Sequence, residues 1–304
     1  MPQSASESRG SAVFSAGGHQ LPLGKRTYIL GILNLTPDSF SDGGRFDHPD
    51  QAADRIKRLA DAGADILDIG AESTRPGSLA LSAKEETTRL LPVLETARRL
   101  FSGPISVDTY KPEVAEAALA AGVDIINDIY GLHQDDAMAA LLGKSGAGVI
   151  LMHNARFYRL DSGRFAGQAI HAEAEEAAEY QKLSLQDAVQ RYLQESVRIA
   201  ERAGISRNRL ILDPGIGFAV DTEESLTLLR QIADLRQLGL PVLSGPSRKR
   251  FIGDLTGRPV DQREFGTAAA VACSIMLGAD FVRVHDVAAA RDTVRVCDAL
   301  VRPH

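Results

Sequence analysis

The segment Ala62-Gly-Ala-Asp-Ile-Leu-Asp-Ile-Gly70 has a pattern that returns twice along the chain. Residues 121–128 read Ala-Gly-Val-Asp-Ile-Ile-Asn-Asp, and residues 277–285 read Leu-Gly-Ala-Asp-Phe-Val-Arg-Val-His. In each copy a helical pattern ends at a glycine, which tolerates the left-handed backbone of a helix C-terminus. An apolar run follows without alternation, as is typical of a parallel strand buried on both faces. The pattern predicts a repeated unit of helix, glycine and buried strand.

Eight apolar runs of this kind predict eight strands, and helical patterns lie between them. The predicted strands are Tyr28–Asn34, Ala64–Gly70, Pro104–Asp108, Asp124–Asp128, Gly146–Met152, Arg209–Asp213, Pro241–Gly245 and Asp280–His285. The predicted helices are Asp50–Ala62, Ser82–Phe101, Pro112–Ala121, Asp135–Lys144, Ser184–Ala203, Thr222–Leu238, Arg263–Leu277 and Val287–Val301. This count predicts an α/β fold, the (β/α)8 TIM barrel. The alternative is a doubly wound open sheet, but the first strand lacks the glycine-rich dinucleotide turn of that fold.

The barrel pattern predicts a single domain over residues 12–304. The preceding residues, 1–11, are predicted to be a disordered N-terminus. Val13–Gly24 contains Gly17-Gly18, a turn signal that predicts a β-hairpin, which we expect to lie across the barrel bottom. The connection from Asn154 to Leu183 is long for a barrel loop. We expect it to be a surface excursion that is poorly ordered or carries only a short helix, around Ala169–Ala178, and that contains no catalytic residue.

Composition excludes several classes of protein. Apolar residues make up 44% of the 304-residue chain and charged residues 24%, which is ordinary for a soluble globular protein. The net charge of −6 excludes a broad basic surface for nucleic acid but leaves room for a local anion pocket. The longest strongly apolar stretch, Ala268–Leu277, is far short of the ~20 residues that span a membrane. Two cysteines make neither a disulfide scaffold nor a zinc site, and the N-terminus lacks a signal-peptide pattern, so we expect a cytoplasmic protein.

Polar residues stand at the end of every predicted strand, where barrel enzymes carry their active sites. These residues are Asn34, Glu72 to Arg75, Asp108, Asn127, Asp128, His153, Asn154, Asp213, Ser247 to Lys249, Arg283 and His285. One subset offers the donors and acceptors that a planar heterocycle with amino and oxo groups requires: Asp108, Asn127, Asp213 and Lys249. A buried salt-bridge network is the alternative explanation. Arg283 and His285 share a face of their strand and, with Ser247, suit a phosphate group.

Two loops carry more polar and aromatic residues than a simple connection needs. Thr36–Gly44 contains two Asp, two Ser and two Gly around Phe40, and Ser73–Gly77 holds Arg75 in a turn bounded by Pro and Gly. Both are expected to close over a site. Ordinary turn chemistry would explain the Pro and Gly, but not Phe40 or Arg75.

Seven motifs in a fixed order give the chain a strong resemblance to the bacterial dihydropteroate synthases over about residues 14–300. They are Gly31-Ile-Leu-Asn-Leu-Thr-Pro-Asp-Ser-Phe-Ser-Asp-Gly-Gly44, Glu72-Ser-Thr-Arg-Pro-Gly77, Ser106-Val-Asp-Thr109, Asn127-Asp-Ile129, Asp213-Pro-Gly-Ile-Gly-Phe218, Ser247-Arg-Lys249 and Arg283-Val-His285. Such enzymes join 6-hydroxymethyl-7,8-dihydropterin diphosphate to 4-aminobenzoate, forming 7,8-dihydropteroate and diphosphate for folate biosynthesis. The family's reaction is dissociative, with diphosphate leaving before the amine attacks a pterin cation.

The resemblance implies a role for each matching residue. The pterin ring would be held by Asp108, Asn127, Asp213 and Lys249. The diphosphate would contact Thr74, Arg283 and His285, with Asn34 as a ligand of Mg²⁺. Catalysis would depend on Asp42 and Arg75 from the two loops and on Lys249. The aminobenzoate pocket, which in this family is also the target of sulfonamides, would be lined by Phe40, Pro76, Lys249 and Ser247.

The chain departs from the family pattern at two positions, and two rival functions have to be considered. Many members have Lys where this chain has Val220, and Pro246 stands where a small or polar residue is usual. The rival interpretations are a methyltetrahydrofolate–corrinoid methyltransferase and a non-catalytic pterin-binding homologue. The methyltransferase would not need the diphosphate residues or the loops Thr36–Gly44 and Ser73–Gly77. The non-catalytic homologue is disfavoured by the presence of Asp42, Arg75 and Lys249. The family commonly forms homodimers through its later helices. The stripe Ala268, Val271, Ala272 and Ile275 is compatible with that, although inward packing explains it equally well.

Overall fold

The computed structural model describes residues 12–35, 49–73, 80–159 and 172–302. The strands are β1 Val13–Ala16, β2 His19–Pro22, β3 Tyr28–Asn34, β4 Ile66–Gly70, β5 Ile105–Asp108, β6 Ile125–Asp128, β7 Gly148–Met152, β8 Leu210–Asp213, β9 Leu243–Ser244 and β10 Phe281–Val284. The helices are α1 Pro49–Ala62, α2 Ala83–Leu100, α3 Pro112–Ala120, α4 Asp136–Lys144, α5 Ala174–Gln181, α6 Leu185–Arg202, α7 Thr222–Arg230, α8 Ile232–Leu235, α9 Arg250–Thr256, α10 Glu264–Met276 and α11 Val287–Val301.

Strands β3 to β10 form one parallel sheet in the order β8-β7-β6-β5-β4-β3-β10-β9. A parallel bridge between Leu212 and Val242 joins its two outer strands, and the amide of Leu212 donates to the carbonyl of Pro241 at 2.9 Å. The sheet therefore curls round on itself. Together with the helices between successive strands, this confirms the predicted (β/α)8 TIM barrel.

The barrel interior changes character from bottom to top. Its lower part is an apolar cluster that includes Leu30, Ile66, Ile125, Ile150, Ile211, Leu243 and Phe281. Alternate residues of a strand share one face, so the next inward position on each strand lies two residues further along. On four strands that position is polar: Asp68, Asn127, Asp213 and Arg283. The barrel therefore has an apolar floor below a polar mouth, which lies at the C-terminal ends of the strands.

The predicted N-terminal hairpin is present and closes the bottom of the barrel. Strands β1 and β2 pair antiparallel around Gly17-Gly18. Phe14 is 1% exposed and meets Phe281 edge to face, with ring centroids 5.6 Å apart. Gly17 has φ +55°, and a Cβ there would lie 2.1 Å from Oδ1 of Asp124, so only glycine fits this turn.

Two predicted elements differ from the structure, and one observed helix was not predicted. The predicted helix Thr222–Leu238 is interrupted at Gln231, whose buried side-chain amide donates to the carbonyl of Gln186 at 2.7 Å. Helix α9 was not predicted, because it has seven residues with Gly253 among them. Strand β9 is two residues long rather than five, and Pro246, which has no N–H to donate, follows shortly after it.

The ends of the long connection from Asn154 to Leu183 are packed, so the expectation of a surface excursion is wrong for them. Tyr158 stacks on Tyr180 with ring centroids 4.8 Å apart, and both are buried. Arg159 makes two hydrogen bonds to Glu224, at 2.5 and 3.0 Å. The expected short helix is α5, and it begins later than predicted. Residues 160–171 and the predicted disordered segment 1–11 lie outside the described residues.

Two predictions from composition are tested by the described part of the chain. No helix there is long and apolar enough to cross a membrane. Cys273 is exposed and Cys297 buried, and both are free thiols, as expected.

Candidate active site

Four side chains that the sequence singled out meet at the barrel mouth. Asp108 and Asp213 end β5 and β8, and Asn127 is the penultimate residue of β6, in register with Asp108. Lys249 precedes α9, and its Nζ lies 4.0 Å from the centroid of the Phe218 ring. These positions place two carboxyl groups, an amide and an ammonium around one space above the apolar floor.

Burial perturbs the charges of this group. It lowers the pKa of Lys249 to about 8, with Arg283 acting in the same direction and Asp213 and Asp108 opposing it. It raises the pKa of Asp213 to about 6, although the amide of Gly215 donates to Oδ1 at 2.8 Å. It also raises the pKa of Asp108 to about 7, against the pull of Arg283. Perturbed titratable groups in a cleft are typical of a functional site.

Arg283 is held between two carboxylates. Its Nε donates to Oδ2 of Asp68 at 2.6 Å, and its Nη2 donates to Oδ2 of Asp108 at 2.9 Å. Burial alone would lower the pKa of Arg283, but the two acids raise it above its ordinary value. Asp68 was missed as a site residue. The signal for it was an acidic residue at an inward position of the apolar run Ile66–Gly70.

Three buried polar atoms near the mouth have no hydrogen-bond partner in the described part of the chain. They are Oδ1 of Asp68, Oγ of Ser106 and Oδ1 of Asn127. Such atoms are rare in folded proteins, because leaving a buried acceptor unpaired costs about 1–3 kcal/mol. Asn127 is only 3% exposed, so a bound molecule with a donor group would relieve this cost.

His285 and Ser247 form a second feature of the mouth. Ser247 Oγ accepts from the His285 amide at 3.2 Å and lies 3.0 Å from Nδ1 of the same ring. Burial, with Arg283 and other nearby cations, lowers the pKa of His285 to about 3, so the ring is neutral. When the Ser247 hydroxyl donates to Nδ1, the ring proton is carried on Nε2.

An apolar wall lines one side of the mouth and was not predicted. It consists of Ile129, Tyr130 and Met152, with Tyr110 and Phe218 packed against them. Arg156, in the turn after β7, donates a side-chain hydrogen bond to Tyr130 and is close enough to Lys249 to lower its pKa slightly. Strand ends therefore supply flat apolar surface as well as polar groups.

A buried ion cluster lies next to the C-terminal end of β4. Nζ of Lys111 is 2.5 Å from a carboxylate oxygen of both Glu72 and Glu86. Tyr110 donates to the other oxygen of Glu72 at 2.8 Å, and the amide of Leu81 donates to Glu72 at 3.0 Å. Glu72, which the sequence placed at a strand end, thus joins the end of β4 to Tyr110, Lys111 and Leu81.

Two other polar strand ends serve the fold instead. Asp128 accepts the amides of Tyr130 and Leu132 at 2.9 and 2.8 Å. His153 is fully buried, and its ring nitrogens contact the carbonyl of Pro214 and the hydroxyl of Tyr158. Burial lowers the pKa of His153 to about 3, so it is a neutral core residue.

The remaining predicted site residues divide into one that is described and five that are not. Asn34 ends β3, and its Oδ1 would lie 3.9 Å from a Cβ placed on Gly70. Five predicted site residues lie outside the described residues: Phe40, Asp42, Thr74, Arg75 and Pro76.

Comparison with known proteins gives consistent matches. The model of the family "Pterin binding enzyme" matches residues 30–285. The dihydropteroate synthase of Clostridium beijerinckii is 40% identical over 287 residues, which are 94% of this chain and 98% of that protein. A structure of the Xanthomonas albilineans dihydropteroate synthase with 4-aminobenzoic acid is 41% identical with a TM-score of 0.83, covering 96% of this chain and 100% of that one. A structure of the same enzyme with 7,8-dihydropteroate gives 39% identity, a TM-score of 0.80 and the same coverage.

Proposed function

The chain belongs to the family of pterin binding enzymes, and we propose that its barrel mouth carries out the dihydropteroate synthase reaction. In that reaction the bond between the pterin methylene carbon and the diphosphate oxygen breaks, and diphosphate leaves with the electron pair. The amine nitrogen of 4-aminobenzoate then bonds to the methylene carbon and loses a proton. The products are 7,8-dihydropteroate and diphosphate. None of the relatives named above is a methyltransferase, the rival function considered from the sequence.

The observation that carries this function is the convergence of Asp108, Asn127, Asp213 and Lys249 over an apolar floor. A pterin presents ring N–H and amino donors beside an oxo acceptor. Carboxylates accept from donors, an ammonium donates to an oxo group, and an amide does both. The unpaired Oδ1 of Asn127 gives one such donor a partner. The apolar wall of Ile129, Met152 and Phe218 offers surface for the ring face.

The diphosphate lies, in this proposal, beside Arg283 and His285. The neutral His285 ring presents its Nε2 proton, and Arg283 adds a fixed positive charge near the departing oxygens. Groups already oriented toward developing charge need no reorganisation during the reaction. Thr74 is the third proposed contact.

Mg²⁺ is the metal that the resemblance implies, and the described residues fit it through one oxygen ligand, Asn34. A Cβ on Gly70 would lie 3.9 Å from Asn34 Oδ1 and 3.4 Å from the Asp108 Cβ, so Gly70 lies beside both side chains. No group of three or more His, Cys, Asp or Glu within the described ranges could hold a metal alone. Mg²⁺ usually takes one or two protein oxygens together with substrate phosphates and water. When bound, it would neutralise charge on the diphosphate.

The aminobenzoate is proposed to bind above the pterin, between the loops that contain Phe40 and Pro76. Lys249 borders both substrates. Ser247 was assigned to this pocket, but its hydroxyl contacts His285, which supports a role in orienting that ring as well. Asp42 would stabilise the pterin cation and Arg75 would help to close the site. Closure keeps water from capturing the cation.

A homodimer is proposed through the exposed faces of α10 and α11. Phe265 is 93% exposed and Leu300 is 73% exposed, and Met276 and Val296 are also open to solvent. Large exposed apolar side chains on neighbouring helices are typical of protein contacts. The predicted stripe around Val271 and Ile275 is not this face, because both side chains are buried in the core.

A cytoplasmic location remains a prediction from the sequence.

The experiment that tests the function is a two-substrate assay of diphosphate release. With both substrates present, the synthase is expected to form one dihydropteroate for each diphosphate released in steady state, and turnover depends on Mg²⁺. Failure to form dihydropteroate with both substrates and Mg²⁺ present would contradict the proposal.

A further inference from the structure

A second cavity lies at the bottom of the barrel, at the opposite end from the mouth. It has a volume of about 490 Å³ and is lined by the segment before β3, the turn before β4 and one face of α11. The α11 residues in it are Arg291, Val294, Arg295, Asp298, Ala299 and Arg302, a spacing that places them on one side of the helix. We refer to it as the basal cleft.

The basal cleft is strongly cationic in a chain of net charge −6. Five of its lining residues carry a positive charge and two carry a negative one, which leaves a net +3: Lys25, Arg26, Arg291, Arg295 and Arg302, against Asp65 and Asp298. Both acids are already engaged. Asp65 pairs with Arg26 at 2.5 Å, and Asp298 pairs with Arg302 at 2.7 Å.

Three cations are left without a carboxylate within ion-pair distance in the described part of the chain: Lys25, Arg291 and Arg295. Arg291 has a fixed place, since its Nη1 donates to the carbonyl of Ala62 at 3.3 Å. A Cβ on Gly63 would lie 3.0 Å from that same nitrogen, so the glycine leaves room for the guanidinium. Capping of α1 explains the position of Arg291. It does not explain Lys25 and Arg295, which have no such carbonyl partner among the described residues.

The paired cations are also rigidly placed. The Arg26 guanidinium lies 4.5 Å from the centroid of the Tyr28 ring, and Arg302 donates to the carbonyl of Ala279 at 2.9 Å. Arginines held in place lose little conformational freedom when they bind an anion. The cleft volume is within the range of ~300–1,000 Å³ usual for small-molecule sites.

We propose that the basal cleft binds an oligophosphate anion, inorganic or carried by a nucleotide. Several phosphate groups in a chain match several cations, which come from the segment before β3 and from α11 with its C-terminal end. Guanidinium groups bind phosphate oxygens in pairs. The site is separate from the mouth because the hairpin and the apolar floor lie between them. A ligand there can be bound together with both substrates of the proposed reaction, and the inference does not depend on that reaction.

The test is calorimetric titration of the full chain with inorganic tripolyphosphate at low salt, with hydrogen exchange to locate the ligand. Wild type is expected to bind, with protection over residues 24–27 and 291–302. Arg291→Ala/Arg295→Ala is expected to weaken this binding at least about tenfold, since it removes two charge-assisted contacts to phosphate oxygens. Arg198→Ala/Arg202→Ala is the matched control, because it removes the same charge from an ion pair with Glu195 on α6.

Each outcome decides the proposal. Undiminished affinity in the double variant, no binding by wild type, or protection confined to the mouth would overturn it. Arg295→Glu serves where the double variant folds poorly, since Arg295 makes no hydrogen bond within the described residues. A parallel titration with ATP separates the sources: equal binding indicates the shared phosphate chain, and tripolyphosphate alone indicates an inorganic ligand. Binding of ATP without tripolyphosphate would reject the phosphate chain as the recognised group.

Discussion

Nε of Arg283 lies 2.6 Å from Oδ2 of Asp68, a carboxylate with no exposed surface. The pair adjoins the groups that we assign to the pterin, because Nη2 of Arg283 also donates to Oδ2 of Asp108 at 2.9 Å. Its second oxygen has no partner in the described chain, so the charge of Asp68 is balanced mainly by Arg283. An uncompensated charge at this depth is costly, which makes the pair a requirement for the fold as much as for the reaction.

We expect Asp68→Ala to lower the free energy of unfolding by about 3–5 kcal/mol, because it leaves the buried Arg283 with one carboxylate instead of two. Urea unfolding measures this. Asp292→Ala, at an exposed position of α11, is the control and should change stability by less than about 0.5 kcal/mol. Equal effects of the two changes would mean that Asp68 does not balance Arg283.

Asp213→Asn should stabilise the free enzyme at pH 8 while it abolishes tight pterin binding. The pKa of Asp213 is raised to about 6, so between its unfolded value and pH 6 the folded state retains a proton that the unfolded state releases. Stability therefore falls as pH rises through this range, by about 2–3 kcal/mol in total. Asn carries no such charge and still accepts from Gly215. Thermal unfolding at pH 4 and pH 8 tests this: the gain should be present at pH 8 and absent at pH 4.

Pterin affinity should pass through a maximum with pH. Ionised Asp213 accepts from ring donors, and its pKa is about 6. Protonated Lys249 donates to the ring, and its pKa is about 8. Binding is expected to weaken below the first value and above the second. Calorimetry with the pterin alone measures the profile, and Lys249→Arg should remove the alkaline fall. A flat profile would mean that neither group contacts the ring.

Ser247→Ala should lower turnover about tenfold while pterin affinity stays the same. The change removes the hydroxyl that fixes the Nδ1 side of His285, so the ring proton is no longer held on Nε2. Ser244→Ala is a close control, because Ser244 is buried on the same segment and bonds to Ser274 instead. A loss of turnover in both variants would point to packing rather than to ring orientation.

Asp42→Asn and Arg75→Ala should reduce turnover and aminobenzoate affinity but leave the binding of the pterin diphosphate intact. Both residues belong to loops beyond the strand ends, and contacts made only in the closed state act on turnover more than on ground-state affinity. A sulfonamide, as a mimic of aminobenzoate, should weaken in the same two variants. Asp213→Ala provides the contrast, because it should lose the pterin itself. Titrations of each ligand alone and in pairs distinguish loop from floor, and equal loss of pterin diphosphate in all three variants would contradict this division.

The fold was largely predictable because its signals are local. A glycine at a helix end and an unalternating apolar run identify each repeat, and the end of each run marks the mouth. Asp108, Asn127, Asp213 and Arg283 could be found in this way without any knowledge of the contacts between them.

The rest of the site depends on contacts between distant segments. Asp68 looks like one polar residue in a strand until Arg283 is placed beside it, and Ser247 looks like a pocket residue until His285 is. The break at Gln231 escaped prediction because the apolar period continues through it. The assignments of Phe40 and Arg75 remain predictions, as they lie outside the described residues.

The N-terminal hairpin links the completion of the barrel to the order of synthesis. Phe14 is synthesised before all eight strands of the barrel, yet its partner Phe281 is on the last of these strands. The contact between the hairpin and β10 therefore cannot form until β10 has been synthesised, and until then the side of Phe14 that packs on Phe281 lacks this partner. Contacts between the two ends of a chain carry a large loop-closure cost and slow folding. Sealing the barrel floor is thus expected to be a late event in folding, and removal of the hairpin would leave an aggregation-prone opening.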